Sequence, residues 1–587
     1  MKQLTRMLAL LLCLLAGMLL SATWLAAQSG DWQPAPTLVP PTLVPVVEAM
    51  DIDALPGESA VARIIRDGVV RVGILYNEPP FGEFNIRGEL SGFDADLARS
   101  LAELWGVEVQ FVQVTRQTTV ETLHRGVIDL LIAAQPHMRS LDSRVEFSTT
   151  YFPGTISLLV NNGDGATVLG HMEGRKVGVV LGTQGERAVL DWLNRAGYDF
   201  FVQTFLTLDQ AMAALAGQSI DAVADSRVRL QRMITDPTAV RFVEDPVEQL
   251  PLAVGVRRQD VNLRNLVNRS LQYLFRSGRL NEIHRAHFDG AAYNPGSLIL
   301  WLNLPEDAPR PDQFPTDVPF PQSYVVPRLQ SERRVRIAGL PELPADASES
   351  ARRLDAAHRT LVNAMAERWG VTVEFIPNSA ENALDLVASG QADLAIGVQP
   401  DWNGIDRVDY TGYYLMHGLQ LMVETSRQIT SIGGLRGRAI GFFTEDAGSR
   451  EVLRAEAERN RAIVDDFYTV PRESDAAFSI LTDTAINLDA VFGDSMRLQA
   501  HLEANPETLN LLTDGDGRAI WFSRTYRVMA VPRNDIDFRL LVEYTLQELA
   551  EEGRLQEIMS PVMRPQDAPF FEVWPGSSEY LGYQLSR

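Results

Sequence analysis

A single cysteine and eight histidines bound the chemistry open to this chain of 587 residues. Cys13 lies in an apolar N-terminal run and follows Leu12, whereas a lipid-attachment cysteine needs a small residue before it. Beyond that run there is no thiol, hence no disulfide, thiolate nucleophile or cysteine-bound metal. His284 and His287 stand three apart on a predicted helix, within reach of each other, but no third ligand accompanies them. His124 and His137 have no evident partner set either, so neither metal nor cofactor is expected. A general acid or base would have to be a carboxyl or histidine held over a substrate, and nothing singles out Glu78 or His137 for that role. Gly182 and Thr183 differ: they fall between a predicted strand and a predicted helix, where amides and a hydroxyl face an anion or cap the helix. These residue types favour reversible binding, and no enzyme is expected.

The elements that would position such groups alternate between strand and helix. Phe93, Leu97, Leu101, Leu104 and Trp105 recur at helical spacing and define one buried face. Val120 and Leu123 mark a short helix that Gly126 ends. Ile128 to Ala134 reads as a continuous apolar strand of the kind buried in a parallel sheet. Repeated β-α-β units imply an α/β fold, whose ligands bind at the carboxyl ends of the strands.

The whole pattern occurs twice. Arg71–Leu75 is matched by Arg336–Leu340, Ala102–Val107 by Ala366–Val371, and Gly126–Leu130 by Gly390–Leu394. Arg144–Ser148 is matched by Arg407–Thr411, and Gly174–Gly178 by Gly437–Gly441. Trp369 follows Trp105 by 264 residues and Gly441 follows Gly178 by 263, so order and spacing are both kept. The organisation expected is a signal peptide over 1–29, a proline-rich tether over 30–57 and a first unit over 58–292. A proline-rich linker over 293–332, a second unit over 333–566 and a tail over 567–587 complete it.

Lys2 and Arg6 precede the apolar run Met7–Leu20, and small residues near Ala27 to Ser29 offer a cleavage site, as in an export signal. The apolar stretch continues through Trp24 and Leu25, which leaves an uncleaved anchor open. An extracytoplasmic location, periplasmic or at the cell surface, is expected. A formal net charge of -23 repels phosphate backbones and anionic lipids, so nucleic acid is excluded as a partner. Hydrophobic residues at 45% and charged residues at 22% fit a soluble globular protein.

The first unit resembles the family 3 extracellular solute-binding proteins, the amino-acid-binding components of ABC importers. The resemblance rests on Asp67–Gly73, Pro79-Pro80-Phe81, Gly88, Ser91–Leu97, Gly126–Asp129, Val145–Ser148 with Tyr151, Val177–Thr183 and Asn268–Leu280. The second unit shares the frame, including Gly437–Gly441 and Glu548–Leu555, but lacks much of the ligand-facing part. It implies two bilobal units of the periplasmic-binding-protein-like type II fold, each closing on a small ligand without covalent chemistry. Implied partners are an amino-acid-like solute and the membrane permease of an ABC importer, or a sensor receptor. A dehydratase on the same fold is the alternative from another class.

In such a cleft the resemblance places Phe81 as the aromatic wall with Tyr76 nearby, and Thr183 on the anion-binding turn. The family's carboxylate-binding arginine falls at Leu141 here, so the flanking Arg139 and Arg144 become the candidates. Asp225 is the candidate for an ammonium group, although it follows Asp221-Ala222 one residue earlier than the family's aspartate, which leaves Ser226 at that place. In the second unit Asp494 keeps the family spacing and Arg407 is the remaining arginine, while Glu445 and Asp446 replace the glycine-threonine pair. That copy is expected to have changed or lost its ligand.

Overall fold

The structure, a computed structural model, describes residues 57–564 and 571–576, apart from 378, 380–381, 445–447, 463, 465, 471–487 and 516. The expected signal segment, the tether as far as residue 56, and Glu445 and Asp446 lie outside the described residues.

The first repeat is built around strand Val69–Ile74, whose apolar run is buried between parallel neighbours Glu108–Gln113 and Leu130–Leu131. Helix Phe93–Trp105 makes one crossover and buries Phe93, Leu97, Leu101 and Trp105. It stops at Gly106, whose φ of 69° suits glycine, and the indole N–H of Trp105 donates to Ser270 at 2.8 Å. The second lobe repeats the scheme, with Lys176–Val180 parallel to both Phe201–Phe205 and Ala222–Ser226. Two long antiparallel strands, Val145–Asn161 and Glu248–Arg257, pass from one lobe to the other and join both into a single sheet.

Ile128–Ala134 is buried, but only Leu130–Leu131 forms a strand. Apolar continuity reported burial correctly and strand length wrongly. Ala134 takes a φ of 42°, and its N–H turns to the buried carboxylate of Asp94, which breaks the ladder.

The second repeat keeps this order with its sheets separated. Thr372–Phe375, Arg334–Ala338, Leu394–Val398, Thr525–Pro532 and Val408–Tyr410 are neighbours in one lobe. Asp466–Val470, Ala439–Phe443, Ala490–Asp494, Leu419–Glu424 and Leu509–Leu511 form the other. The crossover breaks at Gly418, where any Cβ would stand 2.2 Å from the carbonyl oxygen of Ser523.

The two repeats belong to one compact unit and dock through matching parts of their first lobes. Arg264 donates to Glu146 of its own repeat and to Asp409 of the other, both at 2.6 Å. Arg539 returns the contact by donating to Glu146 at 2.7 Å. All four side chains are buried. Burial alone would raise the pKa of Glu146, but Arg539 and Arg264 outweigh it and hold the group below its usual range. The reciprocity continues outward. Gln272 accepts from the Trp301 backbone N–H at 3.0 Å and the Trp402 indole at 2.9 Å, while Gln547 accepts from the Trp574 N–H and Arg139, both at 3.0 Å.

The proline-rich linker and the described part of the tail are packed against the repeats. Leu298, Ile299, Pro311, Phe314 and Val318 are buried, and Val325–Glu332 is a helix whose Val326 and Leu329 pack in the second repeat. Trp301 lies against Trp402, and Trp574 stacks on His137 with ring centroids 3.6 Å apart. The apolar residues between the prolines supply the burial that a solvated spacer lacks.

Replacing Arg264 with Met would leave Asp409 without its arginine and Glu146 with only one. This is expected to lower stability by about 3–5 kcal/mol, seen as an earlier urea midpoint. Arg144→Met, which removes only an exposed partner of Glu121, is expected to change it by less than about 1 kcal/mol.

Candidate functional site

Between the lobes of the first repeat lies a cavity reached by the carboxyl ends of strands from both sides. Glu78, Phe81, Arg116 and Pro136 line it from the first lobe, and Gly182, Thr183, Gln184, Asp225, Ser226 and Arg229 from the second. Phe152, Gly154, Leu250 and Leu252 of the crossover strands form its floor. Phe81 sits in an aromatic cluster, edge-on to Phe152 at 5.2 Å and to Phe288 at 5.8 Å.

The charges come in facing pairs. Arg116 meets Glu78 at 2.7 Å, and Arg229 meets Asp225 at 3.1 Å from the next turn of helix. Asp225 is 2% exposed, and burial raises its pKa, with Arg229 opposing the shift. Its Oδ2 has no hydrogen bond, because Arg229 approaches off the bonding line. A buried carboxylate oxygen left this way favours a second donor. Thr183 is the N-cap of helix Gln184–Arg195. Its hydroxyl accepts from the Glu186 N–H at 3.3 Å and donates to Val180 O at 2.8 Å. The amides of Gln184 and Gly185 have no place in the helix ladder, and Gln184 lines the cavity. Gly185 lets the turn approach, since a Cβ there would lie 2.8 Å from Ala224 O and 3.0 Å from the Asp225 Cα.

Of the residues expected from sequence, Phe81, Thr183 and Asp225 are brought together here, whereas Tyr76 packs edge-on against Phe84 at 4.8 Å outside the lining. The two arginines need correction. Arg139 is buried against the second repeat, bound to Gln547 and lying 4.9 Å over the Tyr544 ring. Arg144 is exposed and pairs with Glu121 at 3.7 Å, while the neighbouring Glu146 points into the interface. Arg116 and Arg229 supply the cations of the cavity instead. Both carried a signal: Arg116 follows the carboxyl end of strand Glu108–Gln113, and Arg229 stands four residues after Asp225.

In the second repeat Arg407 is likewise displaced, exposed and paired with Asp385 at 2.7 Å. Asp494 does reach the space between the lobes, where it binds His417 Nδ1 at 2.7 Å. A further cavity lies where the repeats meet, lined by Asn268, Ile299, Trp301, Tyr413, Gln547, Glu572 and Glu543 among others. Burial pushes Glu543 up to about 6, against the pull of Arg539 and the Gly412 N–H. Among the described residues no group of three or more His, Asp or Glu is placed to hold a metal ion.

A family model described as bacterial extracellular solute-binding proteins, family 3, matches residues 70–290 and again 355–563. An ABC transporter glutamine-binding protein of Bacillus subtilis (strain 168) is 28% identical over 202 residues, 34% of this chain and 72% of its own. An L-cystine-binding protein of Escherichia coli (strain K12) is 25% identical over 250 residues, 42% of this chain and 92% of its own. Among solved structures, an ancestral arginine-binding protein bound to arginine shares 29% identity, covering 38% of this chain and 98% of that one, at a TM-score of 0.32.

The pKa of Glu543 is raised by folding, so its proton is held more tightly in the native state. Its contribution favours the folded state most below the ordinary glutamate range and falls as pH rises toward about 6. The loss totals about 2 kcal/mol, spread from below about pH 4.5 to above about pH 6. Glu543→Gln is expected to flatten that part of the profile of melting temperature against pH, while leaving the rest in place.

Proposed function

This chain belongs to the bacterial extracellular solute-binding proteins of family 3, and from that premise we propose that its first repeat captures a small zwitterionic, amino-acid-like solute for import. The observation that carries this reading is that one cavity holds the Asp225 carboxylate and the start of helix Gln184–Arg195 side by side on the second lobe, with Arg116 and Phe81 on the first. A zwitterion meets both at once. Its ammonium donates to Asp225 Oδ2, its carboxylate takes the amides with Arg116 beside them, and its body rests on Phe81 and Phe152. The names of the relatives, glutamine- and cystine-binding among them, support an amino-acid-like cargo.

Binding closes the lobes about Val145–Asn161 and Glu248–Arg257, the two strands that join them. No bond is made or broken. The family and the matched relatives are binding proteins. Among the described residues no helix is long and apolar enough to cross a membrane. Delivery to a membrane permease completes the proposal, with the N-terminal apolar run as the export signal.

Thermal unfolding of the full chain against a panel of amino acids tests it. A cognate solute at about a hundred times its Kd adds about 2.7 kcal/mol and raises the melting temperature by a few degrees. Asp225→Asn is expected to abolish the gain, and Arg144→Ala to leave it unchanged. A gain that survives Asp225→Asn, or none with any amino acid, would overturn the assignment.

A further inference from the structure

The second cleft contains a chain of contacts that the first lacks. Arg527, on strand Thr525–Pro532, donates from Nε to His417 Nε2 at 3.1 Å and from Nη1 to Gly397 O at 3.0 Å. His417 passes the link on through Nδ1 to Asp494, whose other oxygen accepts from Met496 N at 3.0 Å. Gly397 belongs to the lobe of Leu394–Val398 and Asp494 to the lobe of Ala490–Asp494, so the chain spans the cleft from side to side.

Internal equivalences show what Arg527 replaces. Ser148 accepts from the Val254 N–H at 3.0 Å, and Thr411 accepts from the Met529 N–H at 3.0 Å, which puts Val254 and Met529 in matching places. Two residues earlier on each strand stand Leu252 and Arg527, and Leu252 is part of the floor of the first cleft. Ser226 and Asp494 likewise match, each ending a strand and starting a helix, and Ser226 lines the first cleft. Arg527 thus projects from the floor toward the acid that stands where the first repeat meets its solute.

We propose that Arg527 is the resident occupant of the second cleft: its guanidinium, with His417, satisfies Asp494 and the Gly397 carbonyl in place of a free cationic solute. The cleft is therefore held shut by the chain itself, and the second repeat serves as a fixed partner for the first. This rests on reading the first cleft as the solute site.

Removing the side chain should create a vacancy that a guanidinium compound fills. Arg527→Ala is expected to lower the melting temperature of the full chain by several degrees. Ethylguanidinium at about 10 mM is expected to restore at least half of that loss in the variant, and to do so again in the Asp225→Asn background. Rescue lost with Asp225→Asn would place the compound in the first cleft and overturn the proposal. His417→Phe cuts the link while keeping the guanidinium, and is expected to speed amide exchange in Ala490–Asp494 about tenfold. Unchanged exchange in that variant, or no rescue of Arg527→Ala, would overturn it. So would stabilisation of the wild-type chain by acetate that vanishes in Arg527→Ala, since Arg527 would then be reaching for an anionic solute.

Discussion

Arg264 and Arg539 hold two full charges out of water where the repeats meet, and they are tolerable there only because Glu146 and Asp409 are buried with them. Each arginine crosses to the opposite repeat: Asp409 takes its arginine from the first and Arg539 its hydrogen-bonded carboxylate, Glu146, while Arg264 also keeps Glu146 of its own. That constraint fixes the two first lobes against each other. It also explains the fate of neighbouring residues: Arg139, Gln272, Gln547 and Trp402 all serve the same junction. The contact has the character of an isologous dimer written into one chain, the same patch on each repeat meeting its counterpart. The linker and the tail complete it from either side, through Trp301 and Trp574.

Once the first lobes are fixed, movement is left to the crossover strands. In the first repeat these run unbroken from lobe to lobe and carry the floor of a cavity whose charges stand in opposed pairs. In the second they are interrupted at Gly418, and the space between the lobes is crossed by Arg527, His417 and Asp494. The same frame has been filled in two ways. A matched pair shows the divergence well. The hydroxyl of Tyr151 donates to Asp94, which burial pushes up to about 7, whereas Tyr414 lies 2.8 Å from His358, which burial pushes down to about 3. Each partner is thereby biased toward its neutral form, so the buried tyrosine keeps a companion that costs little to desolvate.

Much of the frame was legible from residues. Helix Phe93–Trp105 follows from its apolar spacing, and its stop at Gly106 from the need for a left-handed residue. The duplication follows from order and spacing, which survive because both repeats must build the same crossovers. Less was legible of the sites. Asp225 and Thr183 reach the cleft because they stand at carboxyl ends of strands, a position that sequence reveals. Arg139 and Arg144 failed because a short 3-10 turn, Arg139–Leu141, carries the first into the interface and leaves the second on the surface. Neither direction is encoded in local periodicity.

The amino-acid sequence by itself determined the α/β class, the two copies, the limits on covalent chemistry and the strand ends where a ligand can bind. These depend on hydrophobic period, glycine placement and residue type, all of them local. Tertiary structure decided which charged groups face one another. It set Arg116 against Glu78 and Arg229 beside Asp225, drew Arg139 to Gln547, and placed Arg527 across the second cleft. A charge acts through space, falling off with distance and burial, so its partner is chosen by how distant segments pack and not by their order along the chain.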